Sequence, residues 1–313
     1  MGHFKKRWGR QSTGSFLVGM TLLVVCLSVS TNAQTNGPVQ PPAAQPTKDG
    51  EEPSIQDNSF LVEEAYNQEF GVVQHIQEVQ KLFESKDWVY SFTEEWPVDL
   101  PLREQKSQTE KHQLSYTLTA TSLGAFPGAG GGLGDLFLNY RYQLIGNGDT
   151  RVAMAPRLSF IAPTGDARFG RGFGGVGWQI SLPLSVVANR KLVTHWNAGA
   201  TFVPNAKNEL GDKAPVYGYN FGQSLIYLVR PRFNLMLETV FNSTQAVLSP
   251  GQTQRAHTIY ISPGFRWAYN LKNGTQIVPG VAVPVGLGPT RGEVGVLFYF
   301  SIEHPYRRLK HQH

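Results

Sequence analysis

The chain has 313 residues, with 28 Lys plus Arg against 23 Asp plus Glu, one cysteine, 33 glycines, 16% charged residues and 12% aromatics. A single cysteine excludes a disulfide scaffold and a cysteine-ligated metal site, and low charge with many aromatics excludes a disordered chain. The net charge of +5 and pI of about 9.2 point to nucleic acid or an acidic membrane only if those charges survive processing and cluster.

They do not all survive. Lys5, Lys6, Arg7 and Arg10 form a basic region, residues 15–29 an apolar one, and Thr31-Asn32-Ala33 a small-residue cleavage site, so residues 1–33 read as a secretory signal peptide. The apolar run of about 15 residues is too short for a stable spanning helix. Cys26 lies inside it behind Val25, a poor lipid-attachment context, and the mature chain has no cysteine. Losing four basic residues takes the net charge from +5 to +1.

Residues 34–58 carry Pro38, Pro41, Pro42, Pro46 and Pro53 with no hydrophobic period, the composition of a disordered linker. Residues 34–112 hold 15 acidic and 6 basic side chains, net −9, whereas residues 113–313 hold 8 acidic and 18 basic, net +10. Nucleic acid is therefore not an expected partner. The near-neutral total conceals an acidic N-terminal piece and a basic remainder.

In the acidic segment 59–110, Val72, Ile76, Val79 and Phe83 fit a helix, while the short turn 84–87 fits a hairpin. The choice between a first strand and a plug-like helix stays open here. Trp88, Tyr90, Phe92 and Trp96 share one face of a strand; eight residues at about 3.3 Å each, tilted by about 40°, separate the two Trp by roughly 20 Å in height. That is close to the spacing of two interfacial aromatic girdles. From residue 111 to 303 the signal is alternation at period two in segments of about 10 to 14 residues. Leu136, Leu138, Tyr140 and Tyr142 oppose Phe137, Asn139 and Arg141, and Leu192, Thr194, Trp196 and Ala198 oppose His195 and Asn197. Such lengths exceed soluble sandwich strands of about 5 to 6 residues and suit tilted membrane strands of about 9 to 11. Short turns at 146–149, 189–191 and 230–232 alternate with expected longer loops at 164–174, 204–215 and 244–254.

The expected fold is therefore all-β: an antiparallel transmembrane β-barrel of about 12 strands, preceded by a signal peptide and a Pro-rich linker and followed by a tail, 304–313. An even strand number keeps both chain ends on one side of the membrane. The polar faces put Arg141, Arg157, His195, Glu238, Arg266 and Glu293 in the lumen, and the apolar faces put Trp88, Trp96, Trp178, Trp196 and Trp267 at the membrane interfaces.

The run Gly132-Leu133-Gly134-Asp135, then Asn139-Tyr140-Arg141-Tyr142 and Ile161-Ala162-Pro163-Thr164-Gly165-Asp166, resembles the outer-membrane barrel family named for the MetA pathway of phenol degradation, over roughly residues 111–303. The resemblance implies a transporter-like or channel-like barrel, in some relatives associated with uptake of aromatic or hydrophobic compounds. It implies no catalytic residues.

Chemistry-bearing motifs are few. Gly172-Phe173-Gly174-Gly175-Val176-Gly177 matches G-x-G-x-x-G, but a dinucleotide site needs a helix after it and a strand follows, so a loop is expected. His195 suggests a serine and histidine lipid hydrolase only if it faced lipid; opposite Leu192, Trp196 and Phe202 it faces inward. Catalytic residues, cofactor and metal are all expected to be absent, with His304, His311 and His313 left to a solvated tail. Arg141, Arg157 and Arg266 outnumber Glu238 and Glu293, which either makes an anion-preferring pore or pairs the arginines with carboxylates that plug it. Two functions follow: an outer-membrane channel for small aromatic, hydrophobic or anionic solutes, or a closed structural or binding barrel. Lipid and a small solute are the expected partners; oligomeric state is left open.

Overall fold

The computed structural model describes residue 55 and residues 59–98, 111–126, 128 and 130–306. The expected signal peptide, nearly all of the expected linker and residues 307–313 of the tail lie outside the described residues.

Twelve antiparallel strands form one closed sheet. They are β1 (Val72–Leu82), β2 (Trp88–Pro97), β3 (His112–Ser122), β4 (Gly132–Tyr142), β5 (Val152–Met154 with Arg157–Ala162), β6 (Gly177–Ser181 with Leu184–Asn189), β7 (Leu192–Lys207), β8 (Lys213–Arg230), β9 (Phe233–Ser249), β10 (Gln252–Trp267), β11 (Gln276–Ala282 with Val285–Gly286) and β12 (Gly295–Pro305). The three split strands are each one strand in register: Arg157↔Ser181 and Val152↔Val186 belong to the same ladder, as do Gly264↔Ala282 and Tyr260↔Gly286. The breaks fall at Pro156, Pro183 and Pro284, residues with no N–H to give a ladder.

Closure comes from β1 pairing with β12, from Val72↔Pro305 to Leu82↔Gly295. This leaves no sheet edge, the condition a β-structure must meet to sit in lipid. The ambiguous stretch 70–83 is thus a strand. Its helical spacing was coincidental: inward Ile76 and Leu82 and outward Val79 stand on opposite faces. The start of β1, the end of β12 and the turns at 146–149, 189–191 and 230–232 lie at one end of the barrel, the terminus end; the other is the loop end.

The barrel is apolar outside and mixed inside. In β8, Tyr217, Tyr219, Phe221, Leu225 and Tyr227 are exposed, while Val216, Gly218, Ser224 and Ile226 between them are buried. Trp88 and Trp178 stand near the loop end of their strands, and Trp96, Trp196 and Trp267 toward the terminus end. The outward assignment has a direct test. Leu237, exposed between Leu225 of β8 and Pro263 of β10, is expected to cost about 2–4 kcal/mol of folding stability as Leu237→Arg in lipid vesicles, whereas Asn242→Gln on the inward face costs far less. Equal effects by urea titration would place the strand face wrongly.

Two expected loops need correction. Residues 204–215 and 244–254 are mostly strand, and only 208–212 and 250–251 turn the chain. Lys207↔Lys213, Ala206↔Ala214 and Ser249↔Gln252 continue the ladders, so β7 to β10 run 16 to 18 residues and their hairpins rise beyond the length a bilayer requires. Inward Val203, Ala206 and Val216 of these extensions bury against Phe173 and Val247, which explains why polar, turn-like residues there still pair.

Candidate functional site

The lumen is occupied by the chain itself. Residues 59–71 carry no regular secondary structure and run through the terminus-end half of the barrel before β1 begins. Ile55 N–H donates to Pro231 O (3.2 Å) at the β8–β9 turn. From there the wall receives the segment residue by residue: Ser59 Oγ bonds Ser224 Oγ (2.8 Å), Leu61 N–H is shared by both Glu238 oxygens (3.0 and 3.1 Å), and Glu63 N–H donates to Asn197 Oδ1 (3.2 Å). Farther along, Ala65 N–H reaches Ser185 Oγ (2.8 Å), Asn67 N–H reaches Gln143 Oε1 (2.9 Å) and Gln68 N–H reaches Gln113 Oε1 (2.7 Å). A buried irregular segment needs such partners, because unpaired backbone groups there cost a lost hydrogen bond each.

Two halves of the wall divide the work. The apolar half is formed by Ile226, Met236, Val240, Tyr260, Val278, Leu297, Tyr299 and Ile76, and packs around Phe60, Leu61 and Val62. The Phe60 ring lies 5.3 Å from that of Tyr299, tilted by 48°, and sits over Gly264 and Gly280; a β-carbon at 264 would come within 2.8 Å of the Phe60 ring, and one at 280 would collide with it. Side-chain absence at those two positions makes the notch.

The polar half centres on Arg141. Its guanidinium donates to Glu63 Oε1 (3.2 Å), Glu64 O (3.3 Å), Asn67 Oδ1 (3.0 Å), Gln113 Oε1 (3.0 Å), Glu95 Oε2 (3.5 Å) and Tyr66 O. Arg157 faces Arg141 directly across the β4–β5 ladder and lies 3.4 Å from Glu63 Oε2. Like charges directly opposite repel. Glu63 from the plug and Glu95 from β2 offset them, so the arginines' charge is met in place by carboxylates of the acidic segment.

Among the six expected lumen residues, Arg141, Arg157, His195, Glu238 and Arg266 are all buried on the inward face. Glu293 is not brought to them. It stands at the loop end before β12, where its carboxylate accepts from Glu84 N–H and Ser85 N–H (both 2.9 Å) and so caps the β1–β2 turn. In that turn burial pushes the Asp87 carboxyl up, and the Gly124 N–H donating to it (2.7 Å) pulls it back. His195 Nδ1 bonds Ser185 Oγ (2.7 Å), the same oxygen that receives Ala65 N–H, so the pair acts as a main-chain anchor for the plug.

Asp135, inside the Gly132–Asp135 run, is a site residue that strand alternation alone does not single out. Asp135 is fully buried on the inward face of β4, with Oδ1 accepting Gly165 N–H (3.0 Å) and Oδ2 accepting Phe173 N–H (2.7 Å). Thr164 Oγ1 donates to Gly134 O (2.8 Å), and β-carbons at Gly134, Gly165 or Gly172 would collide with Thr119, Arg171 and Asp135 respectively. The two motifs Gly132–Asp135 and Thr164–Asp166 therefore interlock. They fold the loop 163–176 back into the barrel mouth and present Phe173 to the lumen. The G-x-G-x-x-G run is this loop and the start of β6.

Beneath the loop is a cavity of about 100 Å³ lined by Leu123, Phe126, Phe173, Val216 and Val247 with Lys207, Asn208 and Gln245 at its rim. A smaller one of about 30 Å³ continues inward between Phe137, Gln179, Thr201 and Gly218. No family model and no curated protein matches the sequence. The architecture is similar to that of an outer membrane channel from Pseudomonas putida F1, at 12% identity over 76% of this chain and 97% of that one, with a TM-score of 0.55. The fold is that of an outer-membrane barrel. A weaker likeness joins it to the NanC porin, at 9% identity over 74% and 98% of the two chains, TM-score 0.44.

Proposed function

We propose that this protein is a bacterial outer-membrane channel for small solutes, exported by an N-terminal signal peptide and held closed in the present state by its own residues 59–71. The observation that carries this is the plug itself: it lies against a wall that is charged and amide-rich on one side and apolar on the other, and apart from its chain connection to β1 the contacts holding it there are non-covalent. A barrel built only as a scaffold has no use for a wall of buried arginines that needs a separate acidic segment to compensate it. The mouth favours an apolar solute, since Phe126 and Phe173 frame the first cavity; this accords with the resemblance to the MetA-pathway barrels and the uptake of aromatic or hydrophobic compounds it implies. Deeper in, Arg141 and Arg157 favour an anionic group once Glu63 has left. Transport, and no catalysis, is the reading we adopt, with outer-membrane lipid around the barrel and nucleic acid not a partner.

The second reading, a closed structural or binding barrel, is favoured by the number of bonds that hold the plug. Planar bilayers separate the two. Under a salt gradient the full-length protein is expected to show infrequent openings whose reversal potential has the sign of anion preference. Openings with cation preference overturn the anionic-solute part of the proposal, and a complete lack of conductance after the plug is weakened overturns the channel.

A further inference from the structure

The way the wall holds residues 59–68 is that of a receptor for an extended peptide. Main-chain groups take most of the contacts. Acceptors on the wall meet the N–H groups of Leu61, Glu63, Ala65 and Asn67, every second residue, as a β-partner would. Donors meet carbonyls of the same residues, Asn197 Nδ2 to Glu63 O (3.0 Å) and Gln143 Nε2 to Ala65 O (2.8 Å), and Arg141 meets the intervening ones, Glu64 O and Tyr66 O. Asn197 thus binds both backbone groups of one residue, and Gln143 spans a carbonyl and the N–H two residues on. Amide side chains are suited to this, having one acceptor and two donors fixed in a plane. Contacts of this kind do not depend on the side chains of the bound segment.

Two contacts do. The Phe60 ring fills the notch over Gly264 and Gly280, and the Glu63 carboxylate lies between Arg141 and Arg157. An aromatic followed three residues later by an acidic residue is what those two pockets select.

We propose that the plug is an internal stand-in for the cargo, and that the solute this lumen binds is an extended oligopeptide of about ten residues with an aromatic and an acidic side chain at that spacing. The idea rests on the channel reading above, which it narrows. A peptide entering the track makes the bonds the plug relinquishes, so exchange of one for the other leaves no wall amide or charge unpaired, which an apolar solute in the same place would.

The test uses the full-length chain carrying Phe60→Ala and Glu63→Gln, which loosens the plug and leaves the wall intact. The probe is a fluorescein-labelled synthetic peptide of residues 59–69, followed by anisotropy in detergent. Saturable binding is expected. A peptide of scrambled sequence that keeps Phe and Glu three apart binds within about threefold. One N-methylated at the amides of Leu61, Glu63, Ala65 and Asn67 binds at least about tenfold more weakly, since each removed bond contributes of the order of a few-fold to tenfold. Adding Asn197→Ala and Gln143→Ala to the wall weakens the unmodified peptide similarly; the N-methylated peptide supplies the same comparison on an unchanged wall should those variants not fold. No saturable binding, or binding indifferent to N-methylation, overturns the proposal. Peptide binding without conductance leaves the peptide site standing and removes the channel; conductance without peptide binding does the reverse.

Discussion

Arg141→Ala is expected to turn a closed barrel into a conducting one. The substitution strips the plug of bonds to Glu63, Glu64, Tyr66 and Asn67 at once and leaves Glu95, almost wholly buried, without its arginine. Removing one member of a buried ion pair costs about 3–5 kcal/mol. At about 1.4 kcal/mol per factor of ten, the ratio of plugged to unplugged barrel falls by roughly a hundredfold to a few thousandfold. Single-channel recording measures this as a rise from infrequent openings to sustained current. Glu63→Gln acts in the same direction and less strongly, because Arg141 keeps Glu95. An Arg141→Ala protein that folds, judged by its heat-dependent gel shift, and still conducts no more than the parent would show that the plug is anchored elsewhere.

The second large effect is at the opposite end. Asp135→Ala removes the acceptor of two part-buried N–H groups, those of Gly165 and Phe173, at a cost of about 1 kcal/mol or more each. The loop 163–176 is then expected to leave the mouth and carry Phe173 out of the lining of the cavity. Arg168 makes the change measurable: it is exposed and tied only within its own loop, to Asp166, whose carboxyl its guanidinium holds below the usual range. Tryptic cleavage after Arg168 is expected to accelerate at least about tenfold in Asp135→Ala and to an intermediate degree in Asp135→Asn, which keeps one acceptor oxygen. Cleavage at the parent rate would mean that the glycine contacts, and not the carboxylate, hold the loop. The two variants report on different barriers, since the plug occupies the terminus-end half and the loop the mouth.

Much of the barrel could be read from the chain because a strand between lipid and lumen writes its two faces at period two. In β4 the order Leu136, Phe137, Leu138, Asn139, Tyr140, Arg141 assigns each side chain to a side with no knowledge of its neighbours, and the structure buries the odd positions. The strand number was harder. Residues 70–83 satisfied a helical spacing as well, and the closing β1–β12 ladder decided between them. Strand ends were harder still. Residues 204–215 carry Asn205, Asn208, Gly211 and Asp212, a loop by composition, yet pair as far as Lys207 and Lys213 because Phe173, from a different loop, covers their inward face.

The candidate site divides the same way. That Arg141, Arg157 and Arg266 lie on polar faces follows from the chain alone. That Arg141 and Arg157 stand directly opposite follows only from the β4–β5 register, and that Glu63 sits between them only from the path of a segment with no periodicity. The same limit hid Asp135, whose partners come from a loop 30 and 38 residues onward. Glu293 stands apart from the other five because one face of a strand says nothing about height along it.

By itself, then, the sequence determined a barrel with apolar outward faces, a basic wall and an acidic N-terminal piece, since alternation and charge are local properties of the chain. The tertiary structure alone decided whether the two charges meet. Leu61 and Glu238 are 177 residues apart and Gln68 and Gln113 are 45 apart. A segment whose conformation is set by side chains that distant carries no local signature, because its hydrogen bonds go to the wall and none repeat along its own backbone.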